Sequence, residues 1–143
     1  MNRGERGLSL STEFVVLLPA LMVILALMIG AGRLALARLS VQQWAESAAR
    51  AASLARDPAG AQAAAHAVVT SDAAGASLRC VGGWSLTVDA SALALPAGSP
   101  GQVSTTVACH VALADLALPG VPGEIVVDAT ASSAVDSHRG RRP

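Results

Sequence analysis

The side chains that could perform chemistry are few in this chain, and no spacing organises them into a site. The three histidines, His66, His110 and His138, show no metal-ligand spacing with one another or with the two cysteines, Cys80 and Cys109. Serine, histidine and aspartate are all present, but no nucleophile elbow or comparable motif brings them together. The sequence therefore predicts a protein that is not an enzyme and that uses no metal or cofactor.

One carboxylate differs from the others because it lies at the edge of an apolar segment of membrane length. Glu13 precedes an uncharged run over about residues 14–32, which Arg33 closes. About 19 residues at ~1.5 Å each span the ~30 Å hydrocarbon core of a bilayer. A carboxylate in that core costs up to ~2.5–3.5 kcal/mol, so it needs a partner. Taken alone, the residues favour Glu13 at the headgroup level of an ordinary anchor, paired with Arg6 or water.

The helix that contains this span is predicted to continue well beyond it. No proline or glycine occurs from residue 34 to residue 56, and Asp57-Pro58 ends the pattern. We therefore predict one helix over residues 8–56, with an amphipathic second half. Its predicted apolar stripe consists of Val41, Trp44, Ala45, Ala48, Ala52 and Ala55. Its predicted polar face consists of Arg38, Gln42, Glu46, Arg50 and Ser53.

Three residues inside the span are predicted to govern how the helix docks onto other subunits. Pro19 removes one helical hydrogen bond, which predicts a kink and a role in assembly. Ala26 and Gly30 are four residues apart, and both are small enough to let another helix approach closely. We therefore predict helix packing at these two positions.

Beyond the helices the hydrophobic period changes to two, which predicts a small antiparallel sheet. The predicted fold class is α+β, with the alanine stripe of the long helix packed on the apolar face of that sheet. A short second helix is expected at residues 60–69 and a turn at 71–76. The expected strands cover residues 77–81, 84–88, 103–113 and 124–135.

The predicted domain organisation follows from these elements. Residues 1–7 are a short polar leader, and residues 8–56 are the helix with its span at about 14–32. Residues 57–136 form a small extracytoplasmic domain, and residues 137–143 a disordered tail. That tail contains a short basic cluster, but the formal net charge of the chain is +0 and a broad basic field is absent, so we predict no nucleic-acid partner.

The two cysteines are predicted to stabilise this small domain. Phe14, Trp44 and Trp84 are the only aromatic residues, so the core must be built from Val, Leu and Ala and would benefit from a covalent link. A bridge between Cys80 and Cys109 would close a loop of about 30 residues and contribute ~3–4 kcal/mol. It would also place the domain on an oxidising, extracytoplasmic side. The alternative is two free buried thiols, which act as small hydrophobes.

Several motifs occur in order along the first third of the chain: Arg6-Gly7, Thr12-Glu13-Phe14, Leu18-Pro19, Gly32-Arg33 and an alanine-rich segment over residues 44–52. In this order they resemble the TadE-like family, minor pilins or pseudopilins of the Tad (Flp) type IVb pilus system. The resemblance covers most of the chain and is most specific between Arg6 and Arg56. The all-arginine, alanine-rich composition is similar to that of actinobacterial members.

The resemblance implies a pilin-like fold and a non-catalytic role in pilus assembly. It implies that a prepilin peptidase cuts after Gly7, that Leu8 becomes the new N-terminus, and that Glu13 pairs with the amine of a neighbouring subunit. A carboxylate among apolar helices needs such a cation nearby. The implied partners are the membrane, other pilins and pseudopilins of the Tad system, the prepilin peptidase and the pilus assembly platform. The implied location is the cytoplasmic membrane, single-pass, or the pilus.

Some alternatives stay open at this point. Counted from Leu8, Glu13 is the sixth residue, whereas type IV pilins carry this glutamate at the fifth position. Three possibilities therefore stay open: a cut after Gly7 despite this spacing, a shifted cut, or an unprocessed membrane scaffold of the same machine. A different alternative is a secreted or surface binding protein whose first 37 residues are a cleaved signal. Arginines are balanced across the span, but the cysteine pair and the resemblance favour an inward N-terminus and an outward C-terminal domain.

Overall fold

The computed structural model describes residues 6–96, 98–116 and 122–136, with side chains described for Val15 and from Leu17 onward. Two helices come first, α1 (Arg6–Ser53) and α2 (Pro58–Gly75). Three strands follow, β1 (Trp84–Asp89), β2 (Gln102–Ala112) and β3 (Glu124–Ala134). Short 3-10 turns cover Ser91–Ala94 and Leu113–Leu116. The first five residues of the predicted leader and the predicted tail over 137–143 lie outside the described residues.

The strands form an antiparallel sheet in the order β1-β2-β3. Its inner face packs on the second half of α1, and α2 packs beside α1 and β1. The predicted α+β fold class, with a long N-terminal helix against a small antiparallel sheet, is confirmed.

The contact between α1 and β2 forms the centre of the core. Ala45, Ala48 and Ala52 have no exposed surface, and they meet the valines that alternate along the inner face of β2. Because alanine has only a methyl group, the strand comes close to the helix backbone. Thr105 shows this proximity: its buried hydroxyl donates a 2.7 Å hydrogen bond to the Ala45 carbonyl, a contact that the apolar pattern of β2 did not predict.

The ends of the helices differ from the prediction for local reasons. Helix α1 ends at Ser53, because tight backbone hydrogen bonds to the Ala51 and Ala52 carbonyls follow it. Ser53 itself was predicted on the polar face but is buried. Its hydroxyl donates to the Arg50 carbonyl at 2.9 Å and accepts from the Ser133 hydroxyl at 3.0 Å, so burial leaves it satisfied.

Helix α2 is longer than predicted at both ends. Asp57 caps it by accepting a 2.7 Å hydrogen bond from the Gly60 amide, which lets Pro58 occupy the first helical turn. At the other end the predicted turn over residues 71–76 is wrong, since the helix continues to Gly75. No proline or glycine interrupts the segment before Gly75, and Ala73 packs against the core.

The predicted strand over residues 77–81 is also wrong, because this segment is irregular. The Val81 amide donates a 2.7 Å hydrogen bond to the His110 carbonyl, so the segment touches β2 at its end. Gly82 and Gly83 then adopt positive φ angles of 71° and 91°, which turn the chain into β1. The alternation that suggested a strand reflects inward packing of Leu78 and Cys80 without a ladder of hydrogen bonds.

The predicted disulfide is present in the structure. Cys80, in the irregular segment, is bonded to Cys109 of β2, and the Cα atoms are 5.2 Å apart. Cys109 is fully buried in the core, so the bond attaches the loop before β1 to the central strand.

Loss of this bond is expected to lower the free energy of unfolding by ~3–4 kcal/mol, because the unfolded chain is no longer closed into a loop of about 30 residues. The test is thermal unfolding of the purified protein with and without reductant. The Cys80→Ala variant serves as the control. Its unfolding midpoint should lie below that of the oxidised wild type and should not change when reductant is added. A wild-type midpoint that reductant leaves unchanged would contradict the prediction.

Candidate functional site: the exposed segment of helix α1 and its junction with the domain

Helix α1 has two environments along one continuous axis. At Val15 and from Leu17 to Ile29 its large apolar side chains are exposed, for example Leu17 at 62% and Met28 at 69%. From Ala37 onward the same helix buries one face against the sheet. One window of α1 is long and apolar enough to cross a membrane, and only 11% of it is buried in the protein. Exposing this much apolar surface to water is unfavourable, so the segment suits a lipid or protein environment.

The residues predicted to be functional lie at different levels of this helix. The bond between Gly7 and Leu8 lies in the first turns of α1, and Glu13 lies about one and a half turns after Leu8. The side chains of Leu8 and Glu13 lie outside the described part of the chain. Pro19 is exposed within α1, and the helix continues through it. A proline there leaves the Val15 carbonyl without its usual helical donor.

Ala26 and Gly30 have different surroundings. Ala26 is half-buried, whereas Gly30 is buried beneath the Leu113–Leu116 turn. A Cβ atom at Gly30 would lie 2.8 Å from the carbonyl oxygen of Leu116. A turn of the same chain therefore lies close to Gly30, and packing of another helix at Ala26 and Gly30 stays a prediction.

A second contact fixes the same turn to the helix. Arg33, one turn after Gly30, donates a 2.8 Å hydrogen bond from Nη1 to the carbonyl oxygen of Asp115. The backbone carbonyls of Asp115 and Leu116 thus both lie close to α1, at helix positions only three residues apart. We call this set of contacts, Gly30 and Arg33 with Asp115 and Leu116, the junction. The sequence did not predict the junction, because the alternation of β2 continues through Leu113 and a glycine in an apolar helix indicated packing against a second helix.

His66 and His110 occupy separate surface positions. The His66 ring lies beside Trp84, with ring centroids 5.0 Å apart, and His110 Nδ1 lies 3.4 Å from Glu124 Oε2. Within the described ranges, no group of three or more His, Cys, Asp or Glu side chains could hold a metal ion. His138 lies outside the described residues.

Comparison with known proteins identifies the helix as the recognisable part of the chain. Residues 9–50 match the family model described as TadE-like protein. This match confirms the resemblance suggested by the sequence over that segment, which covers nearly all of α1. No curated protein and no solved structure matches the chain.

Replacing Gly30 is expected to disturb the junction. In Gly30→Ala the new methyl group meets a backbone carbonyl at 2.8 Å, so the Leu113–Leu116 turn must move, at a cost of roughly 1–3 kcal/mol. The matched control is Gly32→Ala, since nothing lies within 4 Å of a Cβ atom there. The control should be neutral or slightly stabilising, because alanine is more favourable than glycine inside a helix by up to ~1 kcal/mol.

The readout is thermal unfolding of both variants in the same detergent, together with limited proteolysis at the Leu113–Leu116 turn. Equal stability and equal cleavage in the two variants would show that Gly30 is not needed for the junction.

Proposed function

We propose that this chain is a membrane-anchored minor pilin or pseudopilin that takes part in assembly of a Tad-type (type IVb) pilus or a related secretion apparatus. One observation carries the proposal: the segment that matches the TadE-like family is a single helix with an exposed apolar half and a domain-bearing half. A helix of this kind can hold a subunit in a bilayer by its first half. The same apolar surface can later pack against the helices of other subunits.

In this proposal the function is non-catalytic. The partners are the membrane, other pilins and pseudopilins of the Tad system, a prepilin peptidase that cuts between Gly7 and Leu8, and the pilus assembly platform. The N-terminus lies on the cytoplasmic side and the domain on the extracytoplasmic side. The disulfide between Cys80 and Cys109 supports that orientation, because such bonds persist in oxidising compartments.

The alternative of a signal cleaved after residue 37 is less consistent with the packing. Ala37 is buried at the start of the domain-facing half of α1, and the helix runs without interruption through this point. Cleavage there would remove Gly30 and Arg33, and with them both contacts of the junction. An unprocessed scaffold of the same machine keeps every contact, so the state of the N-terminus decides between it and the pilin.

The first experiment is to determine the N-terminal residue and intact mass of the protein purified from native membranes. A processed prepilin is expected to begin at Leu8. A chain that begins at Met1 would favour the membrane scaffold, and loss of the first 37 residues would favour a secreted protein.

The role of Glu13 has its own test. The variant Glu13→Ala should insert into the membrane as well as the wild type, because it removes a charge from the edge of the apolar run, but its incorporation into pilus complexes should be lost. The matched control is Glu46→Ala, which removes an exposed carboxylate of the same helix that contacts Gln42 and Arg50. The measurement is the amount of each variant that co-purifies with sheared pili or assembly complexes.

Incorporation of Glu13→Ala at the wild-type level would contradict an assembly role for this carboxylate. Equal loss in both variants would point to general damage to α1 and would likewise remove the specific role.

A further inference from the structure

A cleft lies beside the junction, between α1, the segment before β1 and the Leu113–Leu116 turn. Its volume is about 420 Å³. Among the described residues that line it, the charged ones are Arg33, Arg79 and Asp115. Apolar walls come from Leu36 and Leu78, and Ser40 adds a hydroxyl group. The described lining of the cleft thus includes two arginines, one aspartate and apolar residues.

The position of the cleft along α1 relates it to the bilayer surface. Arg33 is the first charged residue after the apolar run, and Ser40 lies seven residues further along the helix. This interval covers ~10 Å of helix axis. The headgroup layer on each side of a bilayer is about 5–8 Å thick. A helix whose apolar run fills the hydrocarbon core therefore places this cleft at the level of the headgroups.

Exposed leucines on this part of the helix also indicate that the cleft lies at the level of the lipid headgroups. Leu36 and Leu39 are 64% and 65% exposed although they follow Arg33, and Leu36 lines the cleft. An arginine at a membrane interface keeps its guanidinium at headgroup level while neighbouring leucines remain in the apolar phase. Apolar and cationic groups thus occur together where a phospholipid presents both its acyl chains and its phosphate.

We propose that this cleft binds the phosphate of one anionic phospholipid from the leaflet next to the domain, through Arg33 and Arg79. Guanidinium groups donate paired hydrogen bonds to phosphate oxygens, and the described lining has two arginines against one aspartate, Asp115. Leu36 and Leu78 contact the glycerol and the first acyl carbons. The bound lipid joins α1 to the segment before β1 and so fixes the domain at the membrane surface. The inference rests on the proposed membrane anchoring of α1, and it holds for either orientation of the chain.

The test uses the full chain purified in detergent and studied by native mass spectrometry with phosphatidylglycerol, or with phosphatidylcholine of the same acyl chains. One tightly held phosphatidylglycerol per chain is expected. Arg79→Gln should weaken its binding about tenfold, which corresponds to the loss of one charge-assisted hydrogen bond. Arg33→Gln should weaken it at least as much. The matched control is Arg38→Gln, an exposed arginine of the same helix that does not line the cleft, and it should change binding less than twofold.

Three results would overturn the proposal: equal binding of the two lipids, equal weakening by Arg38→Gln and Arg79→Gln, or displacement of the lipid by millimolar inorganic phosphate. The last result would identify a site for free anions. Membrane extraction separates this failure from failure of the anchoring itself. A chain released by carbonate without detergent is not anchored, whereas an anchored chain with no lipid preference contradicts the cleft alone.

Discussion

The close packing of the alanine face of α1 on β2 is the constraint on which the rest of the structure depends. Aromatic side chains are scarce in this chain and most of the buried core residues are Ala and Val, so the core gains its density by bringing the helix and strand backbones together. The buried hydrogen bond from Thr105 to the Ala45 carbonyl fixes the strand at one level of the helix. Sliding β2 along α1 would break that bond and replace alanine by larger residues, so the domain has a defined position on the helix.

This fixed position explains the junction. With β2 held at Ala45, the turn that follows β2 reaches the helix at Gly30 and Arg33. A side chain at residue 30 would occupy the space of the Leu116 carbonyl, and Arg33 satisfies the neighbouring carbonyl of Asp115. The domain therefore extends to the last turn of the apolar run, without a flexible connection between the exposed segment and the folded part.

Most of the fold could be predicted from local sequence patterns. The wrong predictions concern segments whose structure depends on tertiary contacts, which such patterns do not contain. Helical spacing of Val41, Ala45 and Ala48 correctly predicted the buried face of α1, and alternation correctly predicted β2. Alternation at residues 77–81 misled, because inward packing of Leu78 and Cys80 gives the same pattern as a strand. The contact of Gly30 with the Leu116 carbonyl could not be predicted either, because a glycine in an apolar helix does not indicate which group lies beside it.

The continuity of α1 also relates the junction to the proposed role of Glu13. Seventeen residues separate Glu13 from Gly30, which is ~25 Å of helix axis, close to the ~30 Å thickness of the hydrocarbon core. When the junction lies at one surface, Glu13 therefore lies just inside the opposite one, where its carboxylate needs a cation. After a cut at Gly7, the new amine of the same chain would lie ~7.5 Å further along a straight helix, beyond hydrogen-bond reach. A neighbouring subunit shifted by that distance along the axis would bring its amine level with Glu13. In the proposed mechanism, pairing of the amine with Glu13 therefore requires staggered subunits, and this requirement favours ordered assembly over random association.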